Sequence, residues 1–173
     1  MIRKAEMGDI ARIEEIYATI HDSEEAGETH VSWVRGVYPT RELALSAMEA
    51  GELFVLLDGG VITACAIINQ NQFEEYKMAP WRHPAEPHEV MVLHTLAVDR
   101  HLSRRGYGKE FLRFYESYAK EQGCKYLRMD TNHLNTPARA LYRWYGFTEV
   151  GIIPCDIDGI PHMELMCYEK VLK

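Results

Sequence analysis

Between Val92 and Tyr115 the chain reads V-L-H-T-L-A-V-D-R-H-L-S, then R-R-G-Y-G, then K-E-F-L-R-F-Y, and its clearest chemical signal is the arginine-glycine turn. A glycine-containing turn that opens a helix leaves backbone N–H groups unpaired and pointing outward, and the helix dipole adds partial positive charge at the same place. Arg104 and Arg105 beside Gly106 and Gly108 sharpen this into a cradle for a diphosphate. The turn lacks G-x-x-x-x-G-K-[ST] and has no acidic metal-binding partner, which argues against nucleotide-phosphate transfer. His83 and His88 have no carboxylate or thiol at ligand spacing, so no metal is expected.

The elements around the turn follow from periodicity. The apolar, β-branched run before Asp99 predicts a strand, and Tyr107, Phe111, Leu112, Phe114 and Tyr115 recur at helical spacing after the turn. Upstream, Ile2 to Ala5 is a strand, and Gly8-Asp9 caps a helix with Ile10, Ile13, Ile16, Tyr17 and Ile20 on one face. From His21 to Thr40 periodicity fails. Asp22, Glu24, Glu25 and Glu28 are followed there by Trp33 and Tyr38. Thr40 caps a helix that ends at Gly51, and Asp58-Gly59-Gly60 joins strands Leu53 to Leu57 and Val61 to Asn69 in a hairpin.

Gln70 to His88 holds three prolines with Tyr76 and Trp81, and it has neither period. A loop of that length is usually functional or mobile. Downstream, Gly123 ends the post-turn helix and Tyr126 to Asp130 is an interior strand. N-T-P-A-R-A-L-Y-R-W-Y-G-F gives a helix from Pro137 to Gly146, and Thr148 to Ile153 and His162 to Val171 are strands flanking Asp156-Ile157-Asp158-Gly159. The order β-α-α-β-β-β-α-β-α-β-β predicts one α+β domain over residues 1–173, with a mostly antiparallel mixed sheet and helices on both faces.

Composition narrows the class. The 173-residue chain carries a formal net charge of −7, which disfavours nucleic acid and favours a cationic or amine-bearing small partner. Its N-terminus is charged and helix-like rather than a signal core, and no apolar run approaches a membrane span, so a cytoplasmic protein with no membrane partner is expected. The four cysteines are scattered without a C-x-x-C pair, which suggests neither zinc nor disulfides.

With this element order and two motifs in hand, the chain resembles the GNAT superfamily of acetyl-CoA-dependent N-acetyltransferases over essentially its whole length. The family's Q/R-x-x-G-x-G/A falls on Ser103 to Gly108, and N-x-x-A-x-x-L-Y…G-F falls on Asn135, Ala138, Leu141, Tyr142, Gly146 and Phe147. Ser103 departs from the usual Gln or Arg, and Arg104 stands next to it. The resemblance implies a GNAT fold of about seven strands with acetyl-CoA as co-substrate. It places the pantetheine arm on the backbone of Leu96, Ala97 and Val98, and the diphosphate on Arg104, Arg105, Gly106, Tyr107, Gly108 and Lys109. Asn135, Ala138 and Tyr142 complete the cofactor side.

Acetyl transfer needs a deprotonated amine, a stabilised oxyanion and a proton for the leaving thiolate. The resemblance makes Tyr142 the proton donor, a role suited to a phenol that stays protonated at neutral pH. It puts His94 on the strand that carries the acetyl group, where an unperturbed imidazole suits a general base. Glu89, at the open end of that strand, is the reserve, and a chain of waters is a further route. The acceptor side is expected at Trp33, Tyr38, Tyr76 and Trp81, as a lid over a small-molecule amine contributed by one subunit or by a homodimer partner. Two other readings stay open: an acetyltransferase of protein lysines or N-termini, and a catalytically silent acetyl-CoA sensor.

Overall fold

The computed structural model describes residues 1–102, 105–157 and 159–173, together with every side chain there except those of Ile157 and Pro161. Ser103, Arg104 and Asp158 lie outside the described residues, and with them the diphosphate role expected of Arg104. The elements run β1 Ile2–Lys4, α1 Ile10–Glu25, α2 Arg41–Glu49, β2 Leu53–Asp58, β3 Val61–Asn69 and β4 Val90–Val98. They continue with α3 Tyr107–Glu121, β5 Tyr126–Asn132, α4 Thr136–Trp144, β6 Thr148–Ile157 and β7 Ile160–Val171. The seven strands form one sheet in the order β1-β2-β3-β4-β5-β7-β6, antiparallel except for β4 beside β5. This is the α+β architecture the pattern predicts.

Strand alternation decides which helices cover which face. On β3, Ala64, Ala66 and Ile68 join a core with Phe111, Leu112 and Tyr115 of α3 and Tyr142 of α4. Cys65 and Ile67 point the other way, onto Ile10, Ile13, Ile16 and Tyr17 of α1 and Ala44 and Ala47 of α2, and Ile62 joins them because the β2–β3 register shifts between it and Ala64. Successive residues of a strand face opposite sides, so one apolar strand feeds both cores. Thr40 caps α2 as read, its hydroxyl accepting from the Leu43 N–H at 3.2 Å. Among the described residues no helix is long and apolar enough to cross a membrane.

Two local readings change. A 3-10 turn, Met7–Asp9, precedes α1, so Asp9 works earlier than expected: it accepts from the Glu6 N–H at 2.8 Å and from Arg3 at 2.6 Å. The Gln70 to His88 segment, expected as a lid over the acceptor, packs on the sheet instead, away from the β4–β5 gap. Tyr76, 2% exposed, packs with Val90, Val92 and Cys167 in a third core cluster, with Trp81 against it. Beneath it the buried Arg128 of β5 donates to Glu169 of β7 at 3.1 Å, to Gln72 at 2.9 Å and to the His83 carbonyl at 2.7 Å, and its guanidinium lies 4.3 Å from the Trp81 ring. Removing one member of such a buried ion pair would leave its partner uncompensated, so these bonds hold the segment down.

Candidate active site

The site begins where β4 and β5 stop pairing. Their parallel register runs Val90↔Tyr126, Met91↔Leu127, Val92↔Arg128 and Leu93↔Met129, and ends there. At that closed end the buried Tyr115 hydroxyl lies 2.6 Å from the Met91 carbonyl and 2.9 Å from the Arg128 carbonyl, bridging the two strands. Just beyond, the β3–β4 register shifts between Ile67↔His94 and Cys65↔Ala97, a bulge at Thr95 and Leu96. Thr95 takes φ of 52°, a left-handed conformation that is costly for a β-branched residue. Leu96 to Val98 therefore diverges from β5 with one backbone edge unpaired by it.

The gap opens into a cavity of about 1070 Å³. Its α3 end is lined by Leu96, Val98, Gly106, Tyr107, Gly108 and Lys109. Gly106 precedes α3 with φ of 87°, and a Cβ there would meet nothing within 4 Å, so the first N–H groups of α3 face open space. The Tyr107 hydroxyl donates to Asp58 at 2.7 Å, tying the helix start to the β2–β3 hairpin. A Cβ on Gly108 would come within 3.0 Å of the Leu141 side chain, so glycine there lets α3 approach α4. These are the features an anion cradle requires. The residues present fit a diphosphate with an amide-bearing arm along β4.

On α4, Asn135 caps the helix by accepting from the Ala138 N–H at 3.4 Å while its amide donates to Thr131 of β5 at 3.1 Å. The helix is thereby fixed to the diverging strand, with Asn135, Ala138, Leu141 and Tyr142 facing the cavity. Tyr142 is 6% exposed and packs edge-on against Tyr168 at 5.2 Å. Burial, then the neighbouring Asp130 carboxylate, raise its pKa well above the ordinary phenol value, so it is protonated at neutral pH. Tyr145 lies outside, under the Lys170 ammonium at 4.2 Å from its ring.

The opposite wall is the strap between α1 and α2. Glu24 holds it by accepting from the N–H groups of Val31 and Ser32 at 2.9 and 2.8 Å and from the Thr29 hydroxyl at 2.7 Å. Trp33 sits edge-on to Tyr17, His21 and Tyr38. The Tyr38 hydroxyl bonds Thr95 of β4, and Ser32 accepts from Asn132 of β5, so the strap bridges both diverging strands. Trp33 and Tyr38 line the cavity.

Other sequence-predicted residues are placed elsewhere. Among the described residues lining the cavity, His94, Glu89, Tyr76, Trp81, Arg105 and Ala97 do not occur. The His94 Nε2 lies 3.0 Å from Asn69 Oδ1 and 3.1 Å from the Asn71 carbonyl, an acceptor, so that nitrogen carries the hydrogen and donates. Burial lowers the His94 pKa to about 4, making it a weak base. Glu89 pairs with Lys125, which holds its carboxyl below the ordinary range. The Tyr76 hydroxyl donates at 2.7 Å to Asp130, and the Trp81 indole donates to the Tyr76 carbonyl at 2.8 Å. Ala97 is fully buried in the α1 core.

Asp130 is the cavity residue that sequence reasoning passed over. It is the first residue of β5 beyond the last β4 pair, it lines the gap, and burial raises its pKa to about 6. In sequence it reads only as the polar end of a strand.

Residues 12–147 match the model of the acetyltransferase (GNAT) family, and the chain belongs to that family. Among similar solved structures, a GNAT-family acetyltransferase of Streptococcus agalactiae superposes with a TM-score of 0.83 at 20% identity, covering 100% of this chain and 95% of that one. The yncA protein of Salmonella typhimurium, solved with its cofactor acetyl-CoA, gives 0.71 at 21% identity, covering 100% and 94%. The ribosomal-protein-S18-alanine N-acetyltransferase of Escherichia coli gives 0.68 at 17%, covering 100% and 94%. No curated protein sequence matches the chain.

Proposed function

We propose that the protein transfers an acetyl group from acetyl-CoA to the primary amine of a small molecule. The observation that carries this reading is one continuous cavity running from the bare helix start at Gly106 to Lys109, past the Tyr142 phenol, to the strap residues Trp33 and Tyr38. Family membership and the acetyl-CoA complex of a structural neighbour support the choice of donor.

Acetyl-CoA supplies an activated thioester. The N–H groups of Tyr107 to Lys109 hold the diphosphate, and the unpaired edge of Leu96 to Val98 holds the arm. Tyr142 gives a proton to the departing sulfur. Its raised pKa does not defeat this, because the enclosure that destabilises a phenolate also destabilises a thiolate. The bridging strap walls one side of the cavity and offers aromatic faces to the amine's body.

Tyr142→Phe keeps the ring's packing and deletes the hydroxyl. Turnover, read as free thiol released from acetyl-CoA across an amine panel, should fall on the order of 10²-fold with acetyl-CoA affinity kept. Wild-type turnover in that variant would make Tyr142 structural. Acetylation of protein lysines or N-termini alone would replace the small-molecule acceptor.

A further inference from the structure

We propose that Asp130 is the acceptor subsite, taking the ammonium of an amine that bears no carboxylate and receiving the proton that this amine gives up. This deepens the acetyl-transfer reading and rests on it.

The placement comes first. Alternation along β5 sends Met129 into the α3/α4 core, so Asp130 lies on the other side of the sheet, towards Tyr76 and Cys167. Tyr142 rises from the α4 side. The proton donor and Asp130 thus approach the β4–β5 gap from opposite faces, close enough to influence each other's charge. An amine arriving from the strap side meets Asp130 at the point where β4 and β5 part.

Chemistry comes next. The groups that bear on Asp130 are the Tyr76 hydroxyl, bonded to Oδ2, the thiols of Cys155 and Cys167 on β6 and β7, and Tyr142 on α4. All are neutral at pH 7, and among the described residues Asp130 has no ion-pair partner. A partly buried carboxylate without a cation is costly, and an ammonium ion is the natural complement. Around it, Thr95, Thr131, Asn132, Trp33, Tyr38 and Met163 supply polar and apolar surface but no lysine or arginine. The cavity's other charged or titratable groups are Lys109 at the α3 end, Arg100 on the turn after β4, whose Nε donates to the Ser23 hydroxyl at 3.2 Å, and Glu28 and His30 on the strap. An acceptor carboxylate held next to the ammonium would lie beside Asp130 and meet like charge there.

The step balances as follows. One proton leaves the bound ammonium through Asp130 to solvent, freeing the nitrogen lone pair. The nitrogen then bonds to the acetyl carbon as the carbon–sulfur bond breaks. Tyr142 protonates the sulfur, and the second proton lost from nitrogen returns to Tyr142 by way of Asp130 and water. The products are an amide, a free thiol and one proton.

The test uses matched pairs that differ by one carboxylate: phenethylamine and phenylalanine, histamine and histidine, cadaverine and lysine. Calorimetry on wild-type protein should show at least one amine binding about 10-fold tighter than its amino acid. Asp130→Asn, which keeps the shape and the bond from Tyr76, should weaken that amine about 10-fold while leaving acetyl-CoA affinity unchanged. In turnover, the rise of kcat/KM with pH near 6 should disappear in the variant, whereas Tyr76→Phe should shift it without abolishing it. The proposal is overturned if no amine is preferred to its amino acid, or if Asp130→Asn keeps both the affinity and the pH limb. Because binding is read apart from turnover, a protein that binds amines through Asp130 yet releases no thiol would sink the acetyl-transfer reading and leave the subsite standing.

Discussion

At the scale of single residues, Asp130 shows how a site is maintained at a cost to the fold. Its pKa of about 6 lies above the unfolded value of an aspartate, so the native state holds its proton more tightly than the unfolded chain does. The sign follows: stability falls as pH rises from about 4 through about 6, and above that range the full penalty of the partly buried charge applies. Asp130→Asn removes that charge. It should be more stable than wild type at pH 7.5, by about 1–3 kcal/mol, with the difference closing towards pH 4. Chemical denaturation at both values checks this, and a variant equally destabilised at every pH would show the carboxylate to be structural. That gain, paired with the expected loss of amine binding, is the usual relation between stability and a functional charge. The sequence could not single Asp130 out, because a carboxylate at a strand end is ordinary until its neighbours are known. For the same reason His94 looked better than it is: its imidazole type was legible, but its bonds to Asn69 and Asn71 come from a neighbouring strand and loop.

Among elements, legibility tracked how local the determinants are. The strand-turn-helix around Gly106, the β2–β3 hairpin and α4 follow from periodicity and end signals a few residues apart, and the structure keeps them. The Gln70 to His88 segment did not yield to the same reasoning, since what fixes it is a buried arginine more than forty positions further on. Tyr76 and Trp81, expected at the acceptor, turn inward because Arg128 and Asp130 give them partners there. The start of α3 makes a prediction at this scale. Any L-residue at Gly106 is strained by φ of 87°, but a Cβ there clashes with nothing, so Gly106→Val should fold at a cost of about 1–2 kcal/mol. The added methyl groups would project into the open space in front of the N–H groups. Acetyl-CoA binding, followed by calorimetry, should weaken about 10-fold or more while thermal unfolding stays cooperative. Unchanged affinity would move the diphosphate elsewhere.

Over the whole molecule, the net charge of −7 is less available to a ligand than the sequence suggests. Within the acidic run, Asp22 and Glu25 are paired with Arg35 at 2.5 and 2.9 Å, and Glu24 is committed to the strap's N–H groups. Glu28 remains at the cavity wall. Most of that acidity therefore builds the strap, and attraction of a cationic amine comes from Glu28 together with the diffuse field of the surface. Raising the ionic strength from about 0.01 M to about 0.1 M shortens the screening length from roughly 30 Å to 10 Å, which removes the diffuse part and leaves close pairs intact. For a cationic acceptor, kcat/KM should fall about 2- to 5-fold over that range with kcat unchanged, because only the encounter is affected. Glu28→Gln should lower kcat/KM at low salt and flatten its salt dependence, since Glu28 lines the route to Asp130. A salt effect on kcat, or a slope identical in wild type and Glu28→Gln, would mean that the amine does not enter past Glu28.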